Sequence, residues 1–96
     1  MPTDLSGQPL DELKQWLAIS TSGEDALLLR LLESAWQMCQ TFTRTDLGEW
    51  ALLDPALRHG IVRLAAHQYR ERDNGEAGAL PAAVAALWQP FRTLRL

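Results

Sequence analysis

The stretch EDALLLRLLESAWQMCQTFT, residues 24–43, decides the fold of this 96-residue chain. It lies in the longest run without glycine or proline, the two residues that most disfavour a helix interior. Its apolar residues recur at the spacing of one stripe along an α-helix: Leu28, Leu31, Leu32, Ala35, Cys39 and Phe42. The spacing predicts a long central helix whose stripe faces a core.

Four further apolar residues of this helix fall partly outside the stripe: Leu27, Leu29, Trp36 and Met38. A helix that is apolar on more than one face must be covered on more than one side. In so short a chain, another copy of the protein can supply part of that cover. We therefore expect Leu29 and Trp36 to lie at a subunit interface.

Prolines and leucines predict three more helices. After a flexible lead-in at residues 1–8, Pro9 and leucines 10, 13 and 17 predict a short first helix. Asp54 as N-cap and Pro55 at the first helical position predict a helix from 55 to about 72. A last short helix runs from 81 to about 88. The expected fold is all-α, a small bundle of about four helices with a long central helix and a C-terminal tail (residues 89–96), in a single domain over residues 1–96.

Two stretches leave local alternatives open. Ahead of the central helix, Thr21 with Glu24 or Ser22 with Asp25 has the spacing of a capping box. Residues 44–53 indicate either a packed loop or a short extended piece. Its apolar residues, Leu47, Trp50, Leu52 and Leu53, are too hydrophobic to be left in water.

Gly60, inside the third predicted helix, has two explanations. Glycine in a helix costs about 1 kcal/mol relative to alanine. Either a neighbouring helix approaches closely at this position, or the glycine is a tolerated flaw.

Charge is unevenly distributed along the sequence. The net charge is −3, but residues 1–54 contain nine acidic and three basic residues, whereas residues 55–96 contain three acidic residues and six arginines. Two explanations fit. The solvated faces simply differ, or an acidic face of one copy meets a basic face of the next in a head-to-tail contact.

The motifs of common enzymes are absent from the sequence. There is no Gly-rich phosphate loop, no Cys-x-x-Cys and no His-Glu-x-x-His. The sole cysteine, Cys39, lies on the apolar stripe and is expected to be a small buried hydrophobe. His59 and His67 have no suitably placed carboxylate between them for a metal site. We predict that the protein is not an enzyme and uses neither a metal nor a cofactor.

The N-terminus lacks the basic and apolar regions of a signal peptide, and no apolar run is long enough to span a bilayer. We therefore expect intracellular synthesis without a membrane association.

A cationic stripe follows one face of the third predicted helix: His59, Arg63, His67 and Arg70. Such a face contacts phosphates or forms a solvated or subunit-facing surface. The acidic balance of the chain favours the second interpretation. The alternative is a small helical regulator that binds DNA as a dimer, for which Gln68 is the only candidate base-reading residue in this helix.

The order of motifs resembles the head–tail connector proteins of tailed bacteriophages, also called adaptor or head-completion proteins, with relatives in prophages and gene transfer agents. The resemblance rests on LDELKQWLAIS (10–20), GEDALLLRLLESA (23–35), the pair Thr43-Arg44, LRHGIVRLAAHQYRER (57–72) and LPAAVAALWQPFR (80–92). It covers nearly the whole chain except the segment 45–53.

This resemblance implies a structural virion assembly protein that is made in the bacterial cytoplasm and located at the head–tail junction. Members form a ring, commonly of twelve copies, beneath the portal protein. The ring extends the DNA channel without reading the DNA sequence, and a further head-completion or tail protein docks on it.

The same resemblance assigns roles to individual residues. The C-terminal segment would dock on the portal, and its residues are Trp88, Phe91, Arg92, Leu94, Arg95 and Leu96. Exposed hydrophobes in this segment independently require a partner. Subunit contacts would involve Leu29 and Trp36 of the central helix and Arg63, His67 and Arg70 of the third.

Overall fold

The computed structural model describes residues 4–71 and 80–92, and this part of the chain is all-α, without strands. Four helices follow in order: α1 (Gln8–Leu17), α2 (Asp25–Thr43), α3 (Pro55–Glu71) and α4 (Ala82–Trp88). A single 3₁₀ turn lies between α2 and α3 at Trp50–Leu52, and another follows α4 at Gln89–Phe91. The predicted bundle of about four helices is confirmed.

The central helix α2 has the predicted bounds and buries the predicted stripe. Leu28, Leu32, Ala35 and Cys39 are fully buried, and the other two stripe residues are half-buried. Burial raises the pKa of the Cys39 thiol to about 12, because the thiolate would lose its hydration. Cys39 is therefore a protonated core residue at neutral pH, as its position on the stripe predicted.

Helix α3 packs against each of the other three helices. Its predicted N-cap is confirmed, because the Asp54 carboxylate accepts a hydrogen bond from the Ala56 N–H at 2.9 Å. The capping box predicted for α2 is wrong, since no side chain caps that helix. The Asp25 carboxylate instead pairs with the Lys14 ammonium at 2.8 Å, which ties α2 to α1.

Gly60 marks the closest approach between α3 and α4. A Cβ atom at this position would lie 2.8 Å from Cε2 and 2.9 Å from Cδ1 of Trp88. The Trp88 indole is fully buried, and its N–H donates to the carbonyl of Leu57 at 3.4 Å. The close-approach explanation of Gly60 is thus confirmed.

The connector between α2 and α3 is a packed loop with a 3₁₀ turn. Leu47, Trp50 and Leu53 are buried, as expected, but Leu52 is 80% exposed. A 3₁₀ turn has three residues per turn, so residues 50 and 53 share one side and point into the core. Residue 52 then faces outward. The expectation that Leu52 would be covered is therefore wrong within the single chain.

Candidate interaction surfaces

Two large apolar side chains are exposed in the described residues, and they lie on different parts of the fold. Trp16 of α1 is 42% exposed, and Leu52 in the connector is 80% exposed. Large apolar groups of this kind at the surface are common in protein–protein contacts, and tryptophan is enriched among the residues that dominate them.

Two side chains of α3, those of His59 and Arg63, contact the Trp16 indole. The His59 ring meets the indole edge-on, with the ring centroids 5.3 Å apart. The Arg63 guanidinium lies 5.9 Å from the indole centroid, within the range of a cation–π contact. The contacts fix the indole against α3 while leaving part of its surface in solvent.

A groove of about 270 Å³ opens beside Trp16, between α1, α3 and the start of α4. We call it the cationic groove; its walls include Trp16, Arg63, His67, Arg70, Glu71 and Pro81. Glu71 is the acidic residue in this wall. A larger concavity of about 540 Å³ lies on the other side of Trp16, toward Gln8, Arg58 and His59.

The cationic groove brings together three of the five predicted subunit-interface residues. Arg63 and His67 are half-buried in its wall, and Arg70 is exposed. Trp16 completes this surface but was missed as a site residue. The available signal was its position beside the leucine stripe of α1, which left the indole without a core partner.

The two predicted interface residues on α2 lie elsewhere. Leu29 is half-buried at the edge of the core. Trp36 is 6% exposed and packs against Trp50, with the ring centroids 6.4 Å apart. The connector loop of the same chain covers this indole, so Trp36 is a core residue of the single chain and its place at a subunit interface stays a prediction.

The predicted docking tail divides into three parts. Trp88 is a core residue, fully buried against Gly60 of α3 and the Phe42 ring of α2. Phe91 is half-buried against the core, and the Arg92 guanidinium lies 5.3 Å from the centroid of the Phe42 ring. Leu94, Arg95 and Leu96 lie outside the described residues, as do residues 1–3 of the predicted lead-in.

An apolar hollow of about 370 Å³ lies beside the C-terminal half of α2. Met38, Phe42 and Leu80 supply its apolar surface. Arg92 stacks over Phe42, so this hollow adjoins the last described residues of the chain.

The connector between α2 and α3 forms a second charged surface. Asp46, Glu49 and Asp54 are all exposed in the segment that carries Leu52. The Glu49 carbonyl accepts a hydrogen bond from the Leu52 N–H at 3.1 Å, which closes the turn. We call this surface, formed by Asp46, Glu49, Leu52 and Asp54, the acidic knob.

The candidate base-reading residue does not reach the surface. Gln68 is 7% exposed, and its amide nitrogen lies 3.6 Å from the Met38 sulfur. A DNA base edge therefore cannot contact it while α3 is packed in this way.

Residues 4–71 and 80–92 contain neither a candidate membrane-spanning helix nor a cluster of metal-ligating side chains. No helix there combines the length and apolar character that a bilayer crossing requires. No group of three or more histidine, cysteine, aspartate or glutamate side chains is arranged to hold a metal ion in that part of the chain.

Helices α1–α3 form a small all-α unit that carries exposed apolar and charged surfaces, which is the class of a helical binding module. Residues 8–79 match the family model described as phage gp6-like head-tail connector protein. Since this match spans most of the 96 residues, the chain belongs to the phage head–tail connector family. It begins at the first residue of α1 and ends before α4.

Membership of this family defines the broad role of the protein. It is a structural connector of a bacteriophage, and its partners are other phage head or tail proteins. The resemblance noted in the sequence is thereby confirmed. Searches of curated proteins and of solved structures each returned no match.

Proposed function

We propose that the protein assembles as a ring beneath the portal at the capsid vertex, where it extends the DNA channel and presents a docking surface to the next head-completion or tail protein. The single observation that carries this proposal is the family match over α1, α2 and α3. A ring of twelve copies is the form we expect in the virion.

The structure supports the proposal with a surface suited to contacts between copies. The cationic groove combines an exposed indole with arginines, and tryptophan and arginine are the residue types most enriched at binding hot spots. The family match includes three basic residues of this groove, Arg63, His67 and Arg70. Binding, rather than a chemical step, is the mechanism.

The second contact we propose is between the C-terminal segment and the portal. Phe91 and Arg92 lie at the end of the described chain beside α2, and Leu94, Arg95 and Leu96 follow in the sequence. The alternation of apolar and cationic residues suits a partner surface with apolar pockets and acidic rims.

Native mass spectrometry of the purified protein, alone and mixed with the portal ring of the same phage, tests the proposal. We expect a ring-sized oligomer, or a complex with a fixed number of copies on each portal ring. A stable dimer that ignores the portal would contradict it, and duplex DNA binding would then be measured at several salt concentrations.

The tail contact has its own test. The variant Leu94→Asp should lower the occupancy of the portal while the helical circular dichroism signal stays unchanged. The matched control is Ala26→Asp, which adds the same charge at an exposed position of α2. Equal portal occupancy by both variants would refute the tail contact.

A further inference from the structure

We propose that the acidic knob of one copy inserts Leu52 into the cationic groove of the next copy. This inference rests on the ring proposed above and identifies the two surfaces that would join its subunits. The occupant of the groove is thus a second copy of this chain.

The buried neighbours of Leu52 keep it at the surface of the fold. Trp50 and Leu53 on either side of it are 5% and 8% exposed, and Trp50 packs against Trp36. Leu52 cannot turn inward without pulling these two side chains out of the core. The fold therefore presents an apolar side chain to solvent, and a partner can cover it without a rearrangement of the backbone.

The two surfaces carry opposite charges. The knob places three carboxylates, those of Asp46, Glu49 and Asp54, in the exposed segment around Leu52. The groove places the guanidinium groups of Arg63 and Arg70 beside an exposed indole, and they outnumber the Glu71 carboxylate in its wall. Opposite charges around an apolar centre steer two surfaces together and fix their register. The groove volume of about 270 Å³ accommodates a leucine side chain.

The acidic knob and the cationic groove lie at different places along α3. The knob directly precedes Pro55, the first residue of α3, whereas the groove follows α3 from Arg63 to Arg70. At 1.5 Å per residue, Arg70 is about 22 Å along the helix axis from Pro55. A copy can therefore give its knob to one neighbour and its groove to another. Such a heterologous contact closes into a ring when the rotation between copies allows it.

Two variants separate the surfaces. Leu52→Ser removes the apolar centre of the knob and leaves the groove intact, whereas Arg63→Glu with Arg70→Glu reverses the charge of the groove and leaves the knob intact. Each is expected to weaken association between copies at least about thirtyfold, since an apolar contact or a paired charge is lost. Ala26→Ser and Arg30→Glu are the controls, because both positions are exposed on α2 and belong to neither surface.

Mixing the variants gives the decisive measurement. In an equimolar mixture, the intact groove of the Leu52→Ser chain can accept the intact knob of the groove variant, and no further contact can form. Native mass spectrometry should then detect a one-to-one heterodimer that does not grow. If the wild type assembles only on the portal, the same mixture should place pairs on the portal ring instead of a full ring.

The outcomes distinguish this inference from the proposed function. Rings that tolerate Leu52→Ser as well as the control Ala26→Ser would overturn the knob-and-groove contact and leave the ring proposal standing. A mixture without heterodimers would also overturn it. A wild-type chain that neither self-associates nor binds the portal would overturn the ring and the contact together. Circular dichroism of each variant checks that the helices are retained.

Discussion

Two tryptophans contact neighbouring residues of α3 and have opposite environments. Trp88 lies over Gly60, is fully buried, and donates its indole N–H to the Leu57 carbonyl. Trp16 lies against His59 and remains 42% exposed. Adjacent positions of α3 therefore contact one indole that is fully buried and one that remains partly exposed to solvent.

The difference arises from the residue that each indole meets. Glycine has no side chain, so the Trp88 ring reaches the helix backbone and excludes water. The Trp16 ring instead contacts the side chains of His59 and Arg63, and the cationic groove lies beside it. The contact of Trp88 with Gly60 thus stabilises the fold, while the exposed part of Trp16 leaves a surface that a partner can cover.

The largest expected effect is that of Trp88→Ala. Truncation of a buried tryptophan costs about 3–5 kcal/mol, a large fraction of the total stability of a small domain. Urea denaturation followed by circular dichroism measures the loss. Leu87→Ala, at the half-buried neighbouring position, is the control and should cost less. A loss below that of the control would show that the Trp88 contact does not stabilise the fold.

A smaller effect is expected for Gly60→Ala. The added methyl group would overlap the Trp88 ring, and such overpacking costs about 1–3 kcal/mol, whereas alanine returns about 1 kcal/mol of helix propensity. We expect a net loss of stability of about 1 kcal/mol by urea denaturation. In a Trp88→Leu background the same substitution should be neutral or stabilising. Destabilisation of equal size in both backgrounds would contradict the packing explanation.

The smallest effect on stability is expected for Trp16→Ala, below about 1 kcal/mol, because this indole is only partly removed from water. Its effect on association between copies should be large, about tenfold or more, if the cationic groove is an interface. Trp16→Phe keeps an aromatic ring and is the matched variant. A large loss of stability without a loss of association would contradict this prediction, because Trp16 would then stabilise the fold as Trp88 does.

The helices were predictable where the sequence pattern is long or chemically specific. The bounds of α2 follow from an uninterrupted apolar periodicity, and the start of α3 follows from the Asp54-Pro55 pair. The close approach at Gly60 was one of two alternatives because a helical glycine alone does not show what lies above it. The family was recognisable because several weak motifs occur in the right order.

The surfaces were less predictable because they depend on side-chain direction. At the single 3₁₀ turn, two adjacent residues face opposite ways, so that Leu53 is buried and Leu52 is exposed. Three residues are too few for a periodic sequence pattern that would predict this difference. Trp88 was assigned to the docking segment from the family resemblance, and the sequence does not show that its indole packs onto Gly60. The grouping of Arg63, His67 and Arg70 was predictable, since helical spacing places them on one face.

The seven-residue length of α4 has a consequence for the local dynamics of the chain. Isolated helices shorter than about 12 residues are marginal in water, so α4 depends on the burial of Val84 and Trp88 to exist. Its helical hydrogen bonds and the packing of these two side chains should break in one cooperative opening. The amide hydrogens of α4 would then exchange with solvent as a group, at a free energy that reports how strongly the two side chains are packed.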